Sequence, residues 1–396
     1  LKGDPSLFFF FFQEAEANGL KFKHFTNEVK RSTYCFNPFV QADPELLSLN
    51  ELCETFLEAL NLNYGEGYGR SFFSRVSRRW LSMILRERPQ LQSFRELYEL
   101  TKYGEYFQNA KEQRDAFELI SVIESLAAFE PLNLSGAAAE KNPTAAKNAI
   151  YMPTLIDQKE VVYFWLPSSI EAATVREIAK LALYSLITSA YTNVREHGTS
   201  PQCYLFVDEF QRIASENFKV VLQQARSLGI GVILANQTRE DLKTPSGDLR
   251  HTVLSNTRLR LCFSATEVLA QKEIMLASGE TTQWQQTYST HREKVTTLRE
   301  QMVPRINRNH VIEISDDPFL AVCQIVRGSK YSQFKGYSLP LRTEFHITRE
   351  EYDDRHQADW PEPSEETIVV ERELFSYDAF GTADHRIHVE DELDQE

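Results

Sequence analysis

The spacing of apolar residues divides the chain into stretches of different character. Residues 1–40 read as the end of a strand, a helix and a strand. Lys2-Gly3-Asp4-Pro5 is a turn, with proline where a first helical turn tolerates it; Gly19 sits where a helix stops, and Leu20 to Phe25 alternates with period two. Five consecutive phenylalanines, Phe8 to Phe12, face all ways on that helix, so both of its sides are expected to be buried. Residues 44–130 keep a period near 3.6, which predicts helices over 44–61, 70–88, 91–102 and 107–128 and no strand. The stretch 130–148, rich in Ala, Asn, Lys, Gly and Pro, reads as a flexible return connection.

From residue 161 the pattern changes to short, uninterrupted apolar runs: 161–166, 204–207, 231–235 and 258–263. Helices are expected between and after them, over 169–195, 212–228 and 266–277. Such strands separated by helices indicate an α/β fold with a mostly parallel sheet covered on both faces. His310 to Ile314 and Ala321 to Val326 read as short strands of a hairpin closing the sheet edge. Four segments follow from this pass: a first α/β part (1–43), an inserted all-α domain (44–130), a second α/β part (131–345) and an acidic tail (346–396) expected to lack order.

Composition changes the picture in three places. Five scattered cysteines, Cys35, Cys53, Cys203, Cys262 and Cys323, have no CxxC spacing, which suits a reducing compartment and argues against a disulfide framework or zinc site. The longest apolar run, Leu7 to Phe12, is far below the roughly 20 residues that cross a membrane. A first residue that is Leu rather than Met leads to the expectation that the natural chain starts earlier. The net charge of −14 is concentrated at the end, since 361–396 holds 12 acidic and two basic residues. The remainder is near neutral, so any polyanion-binding surface on it must be local.

Tyr204 to Val207 runs directly into Asp208-Glu209, placing two carboxylates where a parallel strand ends and α/β proteins bind ligands. One acid there can hold Mg2+ and the other can activate a water; the plainer alternative is a strand end capping the next helix. Gln237 falls at the tip of the following strand, where an amide can reach a γ-phosphate or the lytic water, or can merely cap a turn. Arg226 sits at the far end of the intervening helix, placed to reach a neighbouring subunit's nucleotide or to satisfy its own helix terminus.

Together these segments resemble the TraD/TraG-type coupling proteins of conjugation and type IV secretion, a branch of the FtsK/HerA motor superfamily. The resemblance rests on strand-Asp208-Glu209, a helix ending Arg226-Ser227-Leu228-Gly229, and strand-Asn236-Gln237-Thr238. Leu1-Lys2-Gly3-Asp4 and Phe36-Asn37-Pro38-Phe39 add to it, the latter resembling the way that family enters its inserted helical domain. The resemblance implies a RecA-like P-loop NTPase core using ATP and Mg2+. Asp208 would then be the Mg2+-associated acid, Glu209 the base orienting water, Gln237 the γ-phosphate sensor and Arg226 a finger acting across a subunit interface. One departure is plain: no G-x-x-x-x-G-K-[ST] occurs, so the phosphate-binding loop is expected upstream of Leu1.

Arg75, Arg78, Arg79 and Arg86 lie on one predicted helix, with Arg75, Arg79 and Arg86 close to one face. They are candidates for DNA phosphate contact or for a solvated face paired with neighbouring Glu. Trp284 and Tyr288 are expected in a polar loop, as its anchors rather than as base-stacking platforms. His385 and His388 have no ligand-like partners. By resemblance the acidic tail docks on a relaxosome component. The reading is therefore a homo-hexameric ATPase that translocates DNA, single-stranded, from a relaxosome to a type IV secretion channel. It would work at the cytoplasmic face of the bacterial inner membrane, anchored by upstream helices. The alternatives are a soluble HerA-type helicase or translocase and a catalytically silent ring or adaptor protein.

Overall fold

Chain contacts separate two units, residues 1–201 with 359–396, and residues 202–358. The computed structural model describes residues 6–41, 47–62, 70–102, 106–107, 110–134, 148–167, 172–215, 218–244, 247–265, 267–288, 296–325, 338–344 and 347–370.

In the first unit α1 (Ser6–Ala17) leads to β1 (Phe22–Thr26) and the short β2 (Ser32–Thr33). Phe8 and Phe9 are buried while Phe10, Phe11 and Phe12 are half-buried, so the phenylalanine helix is covered unevenly. Among the described residues helices then follow with no strand between them: α2 (Leu49–Ala59), α3 (Arg70–Glu87), α4 (Phe94–Lys102), α5 (Ala110–Asp115), α6 (Phe117–Ala127) and α7 (Glu130–Asn133). The single helix expected over 107–128 is broken at Ala116, between α5 and α6. A capping box between Ser48 and Glu51 fixes the start of α2, and Phe39, Phe56 and Phe94 pack ring on ring at 4.7–5.6 Å.

The helical block begins and ends at neighbouring points. Cys35 and Ala149 form a parallel bridge, and Gln41 donates to the Ile150 carbonyl at 3.0 Å while accepting from the Met152 amide at 2.9 Å. Asn37, buried, caps the turn Pro38–Val40 through Phe39 N and donates to the Gln92 carbonyl at 2.6 Å. Beyond the block lie α8 (Met152–Gln158), β3 (Val161–Trp165) and the 26-residue α9 (Ala172–His197). β1 and β3 run parallel, Phe22 opposite Val161 and Thr26 opposite Trp165. A buried ion pair, Lys23 with Glu160 at 3.1 Å, sits beneath them. Burial depresses the Lys23 pKa, and the Glu160 charge offsets part of that.

In the second unit β4 (Cys203–Val207) pairs in parallel with β5 (Ile230–Leu234), with α10 (Phe218–Gln224) between them in sequence. A Cβ at Gly231 would come within 2.7 Å of the Tyr204 ring, so a larger residue there would have to displace that exposed ring. After β6 (Lys243–Thr244), β7 (Gly247–Asp248) and α11 (Arg250–Asn256) come β8 (Leu259–Cys262) and α12 (Val268–Ala277). A nine-residue ribbon follows, β9 (Glu280–Tyr288) with β10 (Thr296–Pro304), then α13 (Arg308–Asp316), β11 (Leu320–Ile325), β12 (Ser338–Arg342) and α14 (Arg349–His356). β11 is central to an antiparallel sheet, β12-β11-β8, and Val322 packs with Ala265, Ile306, Val311 and Ile314. The chain then returns to the first unit, where β13 (Ile368–Val369) pairs with β2.

Several expectations require correction. His310 to Ile314 is helical: Asn307 caps it through His310 N, and Val311 and Ile314 meet the core at a three-residue spacing no strand provides. The partners of β11 are therefore β12 and β8. The helix expected over 212–228 is shorter, a 3-10 turn at Phe210–Arg212 followed by α10. Trp284 and Tyr288 lie on β9, not in a loop, and Trp284 is 64% exposed, so it anchors nothing within its unit. Within the second unit one face of β4 and β5 is open, with Tyr204, Phe206 and Ile233 exposed. Order also continues past 345, through α14 and then residues 359–370, where Trp360 enters the aromatic core of the first unit.

Candidate functional site

The chain leaving β4 folds over the tip of β5. Ala235 N donates to the Val207 carbonyl at 2.9 Å and Phe210 N donates to the Ala235 carbonyl at 2.8 Å. Between them Glu209 takes a left-handed conformation, φ 52° and ψ 43°. For a residue with a Cβ that costs about 1–2 kcal/mol. Phe210, fully buried with its ring 4.6 Å from Phe218, recovers about 1.5–3 kcal/mol by burial, so the turn is held by the residue after it.

The turn delivers the Glu209 carboxylate to a set of donors. Gln237 Nε2 donates to Oε1 at 2.7 Å, Gln211 Nε2 donates to Oε2 at 2.7 Å, and Arg212 Nε stands 3.7 Å from Oε2. Asp208 is exposed, and its Oδ1 accepts from Glu209 N at 2.9 Å. Neither carboxylate caps the following turn, whose N-cap Glu209 makes no side-chain capping bond. Sequence reasoning brought Asp208, Glu209 and Gln237 together and missed Gln211 and Arg212. Both follow the acid pair within one 3-10 turn, and a polar pair behind a buried Phe was the available signal. Gln211 Oε1 is buried without a partner, so this amide retains an unused acceptor beside Glu209.

Arg226 is not part of this cluster. It lies in the turn after α10, exposed, three residues before Gly229 at φ 72°. The Gly229 carbonyl accepts from Cys203 N, at the opposite end of the strand pair from Val207 and Leu234. A five-residue strand, about 17 Å, separates Arg226 from the acids of its own chain. Among the described residues nothing pairs with its guanidinium.

On α3, Arg78, Arg79 and Arg86 line one surface groove and Arg75 is exposed on the same helix. Arg78 pairs with Glu54 at 2.8 Å, Arg86 donates to Asn50 Oδ1 at 3.0 Å, and Arg79 lies over the Trp80 ring at 5.4 Å. Among the described residues, one of the four thus has the Glu partner of the solvated-face alternative. Lys2-Gly3-Asp4 and the segment 371–396, with His385, His388 and the proposed relaxosome contact, lie outside the described residues. No helix among the described residues is long and apolar enough to cross a membrane.

Residues 202–313 match the family described as the TraM recognition site of TraD and TraG. No curated protein sequence matches the chain. Among solved structures, the unbound bacterial conjugative coupling protein TrwB aligns with TM-score 0.56 and 12% identity, covering 87% of this chain and 82% of that one. TrwB in complex with the non-hydrolysable ATP analogue ADPNP gives 0.57 and 11%, over 86% and 83%. TrwB with ADP and Mg2+ gives 0.52 and 14%, over 87% and 82%. The fold is accordingly the α/β, RecA-like P-loop NTPase fold shared with TrwB, and the strand tips carrying Asp208, Glu209 and Gln237 fall inside the segment that matches the TraD and TraG family.

Proposed function

We propose that the chain is the motor portion of an ATP-driven DNA translocase that couples a relaxosome to a type IV secretion channel in conjugation. The observation that carries this reading is Glu209, gripped by Gln237 across the C-terminal tips of two adjacent parallel strands. A carboxylate there, held in place by an amide from the next strand, suits orientation of a water for in-line attack on a γ-phosphoryl group. Gln237 then senses that group: an amide donating to Glu209 in the absence of nucleotide has a second partner to turn to when phosphate arrives. Arg226, remote from the acids of its own chain, acts on the nucleotide of a neighbour, which requires a ring, here a homo-hexamer.

The donor set fits Mg2+ with ATP. Magnesium prefers hard oxygen ligands and is commonly held by one or two carboxylates together with phosphates and water. Asp208 offers an exposed carboxylate at the strand tip, and no group of three or more His, Cys, Asp or Glu able to hold a metal alone occurs among the described residues. When bound, the ion would neutralise charge on the transferring phosphoryl group. No phosphate-loop motif occurs in the 396 residues, and the reading assigns that grip to sequence outside them. TrwB has been captured with ADPNP and with ADP and Mg2+, which supports the nucleotide assignment.

The Arg75, Arg78, Arg79 and Arg86 helix supplies phosphate contacts to single-stranded DNA, the acidic C-terminal segment docks on relaxosome proteins, and the assembly works at the cytoplasmic face of the inner membrane. The test uses the protein as the cell makes it. Glu209→Gln is expected to abolish DNA-stimulated ATP hydrolysis while ATP still binds. Undiminished hydrolysis in that variant would overturn the assignment, and a wild-type protein that neither binds nor hydrolyses ATP would identify an adaptor instead.

A further inference from the structure

The groove on α3 is lined by Arg78, Arg79, Ser82, Met83, Arg86 and Glu87 and encloses about 430 Å³. Three guanidiniums therefore line it against one carboxylate. Arg78 is engaged with Glu54, but the two side chains are 49% and 46% exposed, and ion pairs open to water contribute little. Another carboxylate can take the place of Glu54 at small expense. Among the described residues Arg86 donates to the neutral amide oxygen of Asn50, and no carboxylate pairs with Arg79. Among the described residues the groove carries more positive charge than their carboxylates neutralise.

The same chain carries a matching polyanion. Residues 371–396 hold nine acidic and two basic residues, with Phe375, Tyr377 and Phe380 set among them. Acids suit the guanidiniums, and aromatic rings suit both their planar faces and Met83. We infer that the segment 371–396 docks in the arginine groove of α3 and acts as a tethered competitor for any other polyanion that seeks it.

Reach and tethering favour this. The segment departs from Val370, which is buried and hydrogen-bonded to Arg31, so its origin is fixed on the same unit. Its 26 residues span up to roughly 85 Å when extended, whereas a compact unit of this size has a radius of gyration of about 18 Å. The far end of the segment can therefore reach any point on the unit's surface. Attachment to the same chain gives the segment an effective concentration of about a millimolar, enough to fill a weak, charge-dominated groove. A partner that captures the segment would release the groove. That consequence for DNA rests on the proposed DNA contact, whereas the docking does not.

The test places p-benzoylphenylalanine at Phe380 and, in a second protein, at Leu393, nearer the free end of the 396-residue chain, and maps photo-crosslinks by mass spectrometry. Crosslinks to the 74–87 stretch are expected, lost in about 1 M salt, where the screening length falls to about 3 Å. They are also expected to fall several-fold in Arg78→Glu/Arg79→Glu/Arg86→Glu. Because that variant could unfold α3, a second one changes Glu371, Glu373, Asp378 and Asp384 to amides, outside the described fold, and is expected to lose the same crosslinks. Crosslinks elsewhere, or crosslinks unchanged by the amide variant, would overturn the docking. So would crosslinks formed only between isotopically distinct chains. Anisotropy of a labelled single-stranded oligonucleotide separates the two readings: the amide variant should bind it several-fold more tightly. Unchanged oligonucleotide affinity alongside salt-sensitive crosslinks removes the DNA contact and leaves the docking standing.

Discussion

The Trp360 indole lies over the Phe8 ring, 4.1 Å between centroids and 17° between planes. The stretch 359–370 thereby closes the core that α1 opens. Trp360 Nε1 also donates to the Ser32 carbonyl at 3.0 Å, and Arg31 stands 5.2 Å over its ring. Trp360→Ala is expected to destabilise the first unit by about 3–5 kcal/mol, as truncating a buried aromatic does. Trp360→Phe should lose less, keeping the stack and giving up the hydrogen bond. Urea unfolding followed by near-ultraviolet circular dichroism measures both, and a loss below about 1 kcal/mol for the alanine variant would place Trp360 outside the core.

One buried and one half-buried group in the first unit oppose one another as pH falls. Burial pulls His24 down to about 4 from 6.5, although its Nε2 donates to the Ser32 carbonyl. The unfolded chain therefore takes up that proton first, and stability is lost between pH 6.5 and 4. Burial raises Glu177 to about 7 from 4.5, against the pull of Lys180 and Arg176, so the folded chain takes up its proton first and stability is gained as pH falls from 7 to 4.5. Glu177→Gln removes the gain. Relative to the wild type it should lose an extra 1–2 kcal/mol, on the order of magnitude, between pH 7.5 and 5. Calorimetry at stepped pH reads the difference, and parallel slopes would remove Glu177 from the account.

Arg226→Ala is expected to lower ATP turnover about a thousand-fold or more in the protein as the cell makes it, the range seen for arginine fingers. Mixed with subunits carrying Glu209→Gln, it should regain part of that activity, because some interfaces then pair an intact Glu209 with an intact Arg226. Full activity of Arg226→Ala alone, or no rescue on mixing, would exclude action across an interface.

The parts of the fold legible in the sequence are those whose period and chemistry agree. Val161 to Trp165 and Ile230 to Leu234 are apolar, bounded and five residues long, and they are strands. Val311, Ile312 and Ile314 are β-branched and read as a strand, but the Asn307 cap and the docking of Val311 and Ile314 override that preference. The β9–β10 ribbon was hidden because Thr and Gln dominate its strands and leave no clean alternation. Acidic composition hid the return of residues 359–370 in the same way, since one tryptophan and a two-residue bridge hold it. At the candidate site the partners contributed by separate strand tips were legible. Gln211 and Arg212 were not, because a helix was expected from 212 and the tight turn at Phe210–Arg212 was not anticipated.

Cys35 and Ala149 stand side by side, so over a hundred intervening residues leave and rejoin the β1–β3 layer through what is geometrically a single doorway. Loop-closure entropy grows only with the logarithm of loop length, and a hairpin-sized linker could bridge the same gap. Growth, shrinkage or replacement of the helices between Gln41 and Ile150 can therefore proceed while strand register is undisturbed. The arginine-bearing helix α3 is a cartridge that evolution can exchange without rebuilding the layer that holds it.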